Sequence, residues 1–110
     1  MANNYKIVSQ VLSDNTKTTV ITVPSNGSCI VKSIFGANTG ASDKDVDVFV
    51  YNDSDSAETT LVLNKTVSAG ASSSVHGEPV VLESNDLLKL QLSGSGSTCN
   101  FQISYLEITR

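Results

Sequence analysis

Tryptophan is absent from this chain of 110 residues, histidine and methionine occur once each, and proline twice. With His76 as the sole imidazole, any acid–base or nucleophilic machinery that uses histidine would have to include it. Its neighbours Gly77, Glu78 and Pro79 look instead like a turn entering a strand, and no GxSxG nucleophile elbow is present. No acid, base, nucleophile or metal constellation assembles from one histidine and scattered carboxylates, so an enzyme is not expected, and no cofactor is. Basic residues are also few. The 7 Lys and Arg against 11 Asp and Glu leave a net charge of -4; they are spread singly, which offers a phosphate backbone no basic stripe, so direct nucleic-acid binding is not expected. No apolar run approaches the ~18 residues of a membrane-spanning helix. The start, Met1 to Lys6, lacks the charged-then-apolar pattern of a secretion signal. These absences lead us to expect a complete, soluble chain made in a cytosol, with no membrane partner.

Cysteine is scarce too. Cys29 and Cys99 each open an apolar strand-like run, and two cysteines make no disulfide framework. Small buried thiols are the first expectation. A bridge is the second, and it requires those two strands to be neighbours. No CxxC spacing or His–Cys cluster supports zinc.

What the chain has in abundance is Ser, Thr, Asn and Gly, with only 16% charged residues, a balance suited to short strands and tight turns. Eight segments read as strands: Tyr5–Leu12, Thr18–Val23, Cys29–Ala37, Asp45–Asn52, Thr59–Val67, Val80–Leu82, Leu87–Leu92 and Asn100–Thr109. In the first, Ile7, Val8, Val11 and Leu12 fit helical spacing as well, and β-branched content favours the strand. Pro24-Ser25-Asn26-Gly27 reads as a turn in which glycine supplies a positive φ. Val46, Val48 and Val50 should face a core, and so should Leu88, Leu90 and Leu92. Ser68 to Ser74 reads as a flexible loop. In the last segment Phe101, Ile103 and Tyr105 hold one parity and Leu106 and Ile108 the other, which suggests a bulge or a section buried on both faces. The pattern is that of one all-β domain over residues 1–110, an antiparallel β-sandwich of about eight strands, jelly-roll-like, with a short N-terminal arm at 1–5.

Two motifs invite chemistry. Asp43, Asp45 and Asp47 are spaced like the first ligands of a calcium loop, but Val48 stands where that loop needs Gly and Ser54 where it needs Glu. A solvated strand that blunts an edge is the better reading. Gly94-x-Gly96 lacks both the third glycine and the helix of a phosphate loop. Phe49 and Tyr51 share a predicted outward face and form a candidate protein contact; packing against a second sheet or subunit is the other reading.

Three segments resemble a family of small virion structural proteins of tailed bacteriophages, particularly phages of cyanobacteria and other marine bacteria. Val20 to Ile34 is similar to that family's "TVPAG…IVKSI" opening. Val46 to Val67 matches its middle through a "YND" loop. "PVVLESNDLLKLQLSGSGS" and "ISYLEI" are similar to its "PLVLEAGDSL" strand and "VSYLEIT" close. Ser25-Asn26-Gly27 is one residue longer than the family's turn, which a loop absorbs. The resemblance covers nearly the whole chain and implies a non-enzymatic capsid decoration or cement protein, made in the bacterial host cytoplasm and located in the virion. Its implied partners are the major capsid protein or other virion proteins, and further copies of itself as a homotrimer. The contact residues expected in that role are Met1, Ala2, Asn3, Asn4 and Tyr5 of the arm, with Phe49 and Tyr51. A neck, collar, tail or fibre component is an alternative placement. A carbohydrate-binding host-recognition module is an alternative of another class, against which the lack of Trp counts.

Overall fold

β-branched and alternating segments punctuated by Ser, Asn and Gly have one economical solution, which is to pair their backbones and bury one side-chain parity. In the computed structural model, which describes residues 2–110, the strands are β1 (Ala2–Leu12), β2 (Thr18–Thr22), β3 (Gly27–Asn38), β4 (Lys44–Asn52), β5 (Ala57–Val67), β6 (Ser72–His76), β7 (Val80–Leu82), β8 (Leu87–Leu92) and β9 (Cys99–Thr109). One sheet, A, runs β1-β9-β3-β6 with β7 also paired to β3; the other, B, runs β2-β8-β4-β5. Every pairing is antiparallel. The two sheets form the expected jelly-roll-like sandwich. Val31, Ile34, Phe101 and Ile103 of sheet A meet Val46, Val48, Leu88, Leu90 and Leu92 of sheet B in a closed apolar core.

The ninth strand is β6, whose Ser72 to Ser74 lie in the segment expected to be a loop and whose Val75 and His76 follow it. Its serines carry no alternating apolar signal. What makes it a strand is backbone pairing of Ser72, Ser73 and Ser74 with Ala37, Gly36 and Phe35, together with burial of Val75. β1 is a strand along its whole length. Ala2–Tyr5 is therefore not a free arm: these residues pair with Thr109 to Leu106 of β9, and Met1 lies outside the described residues. The parity change near the C-terminus also has a different origin from a bulge in β9. β9 pairs with β1 without a shift, and the extra residue is Lys32 of β3, between the pairs Val31↔Tyr105 and Ser33↔Ser104. Tyr105 to Thr109 are half-covered on both faces.

Buried polar side chains close both ends of the sandwich. At one end Asn38 Nδ2 donates to the carbonyls of Ser42 at 2.8 Å and Val67 at 3.0 Å, and its Oδ1 accepts from the Gly40 N–H at 2.9 Å. Beside it Ser97 Oγ donates to the Ser42 carbonyl at 2.8 Å. Gly40 has to be glycine there, because a Cβ would lie 2.5 Å from Ser97 Cβ. At the other end Asp86 accepts from the N–H groups of Asp53 at 3.0 Å and Glu83 at 2.9 Å. Its carbonyl accepts from Val23 N–H at 3.0 Å. The turn before β3 corrects another expectation. Gly27 is not among the glycines with positive φ; it is required because a Cβ would lie 2.7 Å from the Ile108 carbonyl oxygen.

Asn38→Ala leaves a buried N–H and two carbonyls without partners, at about 1–3 kcal/mol each before relaxation. We expect a net loss of about 2–4 kcal/mol, read as a fall in Tm of roughly 10–20 °C for a chain of this size.

Candidate interaction surface

The carboxylates of Asp43, just before β4, and of Asp45 and Asp47 in it do not converge. Asp43 Oδ1 accepts from Ala69 N–H at 2.8 Å, Asp45 Oδ1 from Thr66 Oγ1 at 2.7 Å, and Asp47 Oδ1 from Asn64 N–H at 2.7 Å. Each holds a different point of β5 or the loop after it. They do not blunt an edge, because β4 lies between β8 and β5; they pin an irregular one. Asn64, with φ of 55°, lies where β5 bulges, between the pairs Val46↔Lys65 and Val48↔Val62. Among the described residues no three His, Cys, Asp or Glu side chains gather as metal ligands. His76 closes β6 opposite Ile34.

Cys29 and Cys99 are both free and buried. Their strands are neighbours, yet antiparallel pairing sends the two cysteines to opposite ends: Cys29 faces Glu107 and Cys99 faces Asn38. Nine residues of strand separate these positions, about 30 Å at ~3.4 Å per residue, far beyond disulfide reach. Burial pushes both thiols above their ordinary pKa.

Phe49 and Tyr51 do share the outer face of sheet B, half-buried. The cover is cationic. Lys17 Nζ sits 3.9 Å from the Phe49 ring centroid and Lys89 Nζ 5.5 Å from that of Tyr51. Both ammonium groups are held by the Glu58 carboxylate, at 2.7 Å and 3.0 Å. The hydrogen bonds from Lys17 and then Lys89 hold the Glu58 carboxyl below the usual range. This face is a salt-bridged lid over two aromatics, not an open apolar patch.

An open apolar row lies on sheet A. Tyr5 pairs with Leu106, Leu106 with Ile30, and Ile30 with Val81, so four apolar side chains stand in one row across β1, β9, β3 and β7 on the outer face. Tyr5 is 81% exposed and Val81 67%. Ile7, 66% exposed, flanks the row on one side, and Ile108 on the other. Lys6, next to Tyr5, points to the opposite face, where it donates to Glu107 at 2.9 Å. Of the residues expected to make contacts, Tyr5 belongs to this row, and Ala2, Asn3 and Asn4 lie beside it on β1. Ile7, Ile30, Val81 and Leu106 were not singled out. The parity change at Leu106 and Ile108, read as a bulge or a section buried on both faces, was the one sequence signal within the row; nothing in the sequence joined Ile7, Ile30 and Val81 to it. A polar cleft lined by Ser28, Ser54, Glu83, Ser84 and Arg110 lies near Asp86; the Asp86 carboxylate is already taken up by the backbone.

No protein-family model and no curated protein sequence matches this chain. Solved structures do match its fold. A chain in the acidic stable capsid structure of Helicobacter pylori bacteriophage KHP30 is similar over 99% of this chain and 100% of its own, with a TM-score of 0.63 at 12% identity. A chain of the infectious bursal disease virus Gx strain is similar over 98% of this chain but 32% of its own, with a TM-score of 0.56 at 9% identity. The C-terminal family 22 carbohydrate binding module of Clostridium thermocellum Xyn10B matches 96% of this chain and 85% of its own, with a TM-score of 0.54 at 13% identity. At these identities the likeness establishes a shared sandwich fold, one used in viral capsids and in carbohydrate-binding modules.

Because the Glu58 pKa is depressed in the folded state, its ion cluster stabilises the chain above the unfolded value near 4.5. That contribution is lost as pH falls through the folded value. Carboxyl NMR should find Glu58 titrating below 4.5, and Lys17→Ala with Lys89→Ala should return it toward the ordinary glutamate range; an unchanged midpoint in the double variant would refute the cluster as the cause.

Proposed function

We propose that this chain is a non-enzymatic bacteriophage virion structural protein, a capsid decoration or cement protein that binds and reinforces the shell. The observation that carries the reading is the outer face of sheet A. A rigid sheet presents the row Tyr5, Leu106, Ile30 and Val81 to solvent, and a contiguous exposed apolar patch on a small domain is a contact surface before it is anything else. The fold shared with a phage capsid chain and the resemblance of the "TVP", "YND" and "SYLEI" segments to small phage virion proteins support the same role. In it the major capsid protein is the partner, the virion is the location, and the host cytoplasm the place of synthesis. Binding removes the apolar row from water and ties neighbouring subunits together, so that separating them also requires exposing that row again. Tyr5 lies at the β1 end of this contact with Asn3 beside it on the same face and Ala2 and Asn4 on the rim of the strand, and Phe49 and Tyr51 offer a second, cation-covered patch on the opposite side of the sandwich. Self-association accompanies the role.

A neck, collar, tail or fibre position uses the same surface in fewer copies. The carbohydrate-binding reading is favoured by the likeness to a family 22 module, with Phe49 and Tyr51 as its aromatic platform. Lysines over both rings leave little open face for a sugar to stack on.

Quantitative mass spectrometry of purified parent virions should find this chain at a copy number of the order of the major capsid protein. A handful of copies would move it to the neck or tail, and absence from the particle would end the virion reading. Val81→Asp, which changes an exposed side chain, should weaken binding to capsids at least about tenfold, or ~1.4 kcal/mol, with an unchanged Tm; full affinity would remove the outer face of sheet A from the contact.

A further inference from the structure

The four edges of the sandwich are treated differently. β2 is short and carries a register shift against β8. β5 carries two register shifts, a left-handed Asn64 and the charges of Glu58 and Lys65. The β6–β7 edge is broken into strands of 5 and 3 residues, with Pro79 between them. Shifts, charges, proline and brevity are the ordinary means of keeping a sheet edge from adding another strand. β1 has no shift, no proline and no brevity: 11 residues long, it pairs with β9 in register from Ala2 to Leu12, and no described strand pairs with its other edge. Its only charge, Lys6, is drawn to Glu107 of the same sheet at 2.9 Å.

We propose that β1 is an assembly edge at which a second copy of this chain adds antiparallel, joining the two five-stranded sheets into one across a two-fold axis at Ile7. The occupant is argued from the strand itself. Two antiparallel copies related by a two-fold axis pair residues whose numbers have a constant sum, and the one register that pairs Ala2 with Leu12 uses the whole strand and sets Ile7 opposite Ile7. In that register Tyr5 lies opposite Ser9 of the second copy and diagonal to its Ile7 and Val11, within cross-strand reach for an aromatic. Tyr5, Ile7 and Val11 are 81%, 66% and 59% exposed and share the outer face, so the pairing gathers three apolar side chains from each copy at the axis. Asn4 faces Gln10, amide to amide, and Lys6 faces Val8, so no like charges oppose each other. The product is closed and isologous, a dimer in place of the trimer expected from the sequence, and it extends the apolar row into a surface spanning both copies. This inference does not rest on the virion role.

Light scattering on the full chain should give a dimer mass. Ile7→Lys places two cations at the axis and should give a monomer with the dimer's secondary structure retained, whereas Leu63→Lys on the other long exposed edge should leave the dimer intact. Register is read by cross-linking. Ile7→Cys should form an intermolecular disulfide under mild oxidation and Val11→Cys should not, because Val11 faces Asn3; native Cys29 and Cys99 are buried and do not compete. A monomer or trimer for the unmodified chain, a dimer that survives Ile7→Lys, or failure of Ile7→Cys to cross-link would each overturn the proposal.

Discussion

The sandwich depends on Asn38 and Asp86, buried polar side chains that satisfy the backbone at its two ends where strands leave the sheets. Sheets of β-strands leave turn N–H and carbonyl groups unpaired at both ends, and these groups are costly once the apolar layer closes over them. Asn38 serves an N–H and two carbonyls among the loops after β3 and β5. Asp86 serves two N–H groups through its carboxylate at the opposite end. Between these two ends lie the valines and leucines of the closed core.

That closure is local to the middle of the molecule. Sheet A reaches beyond sheet B, which is why Tyr105 to Thr109 are half-covered on both faces and why Ala2 to Ile7 are exposed along β1. The overhang explains how one strand, β1, carries both Leu12, buried in the core, and Tyr5 and Ile7, 81% and 66% exposed. It also converts a parity change in the sequence, Tyr105 to Leu106, from a defect into a surface: the same strand that fills the core with Phe101 and Ile103 presents Leu106 to solvent.

The polar chemistry of the chain is spent on architecture. Asp43, Asp45 and Asp47 resemble the beginning of a cation loop and instead hold three points of the β5 region. Glu58 gathers two lysines above two aromatics. Carboxylates occupied in this way hold loops, strand irregularities and aromatic faces of the sandwich in place.

Much of the fold was legible in the sequence because period-two alternation reports burial directly: Val46 and Val48, Leu88, Leu90 and Leu92, and Phe101 and Ile103 all face the core as their spacing predicts. Phe49 and Tyr51 were legible as an outward pair. β6 was not, since serines have no side-chain period and became a strand through backbone pairing with β3. Neither was the separation of Cys29 from Cys99, because adjacency of two strands says nothing until their direction is known. The lysine lid came from Lys17, distant from Phe49 in the chain, and the row Tyr5, Leu106, Ile30 and Val81 draws one residue from each of four strands. What the sequence by itself determined is which residues turn inward, a property of each segment alone. Which outward residues stand together was decided only by strand order and register, because neighbours across a sheet are set by pairing between distant parts of the chain.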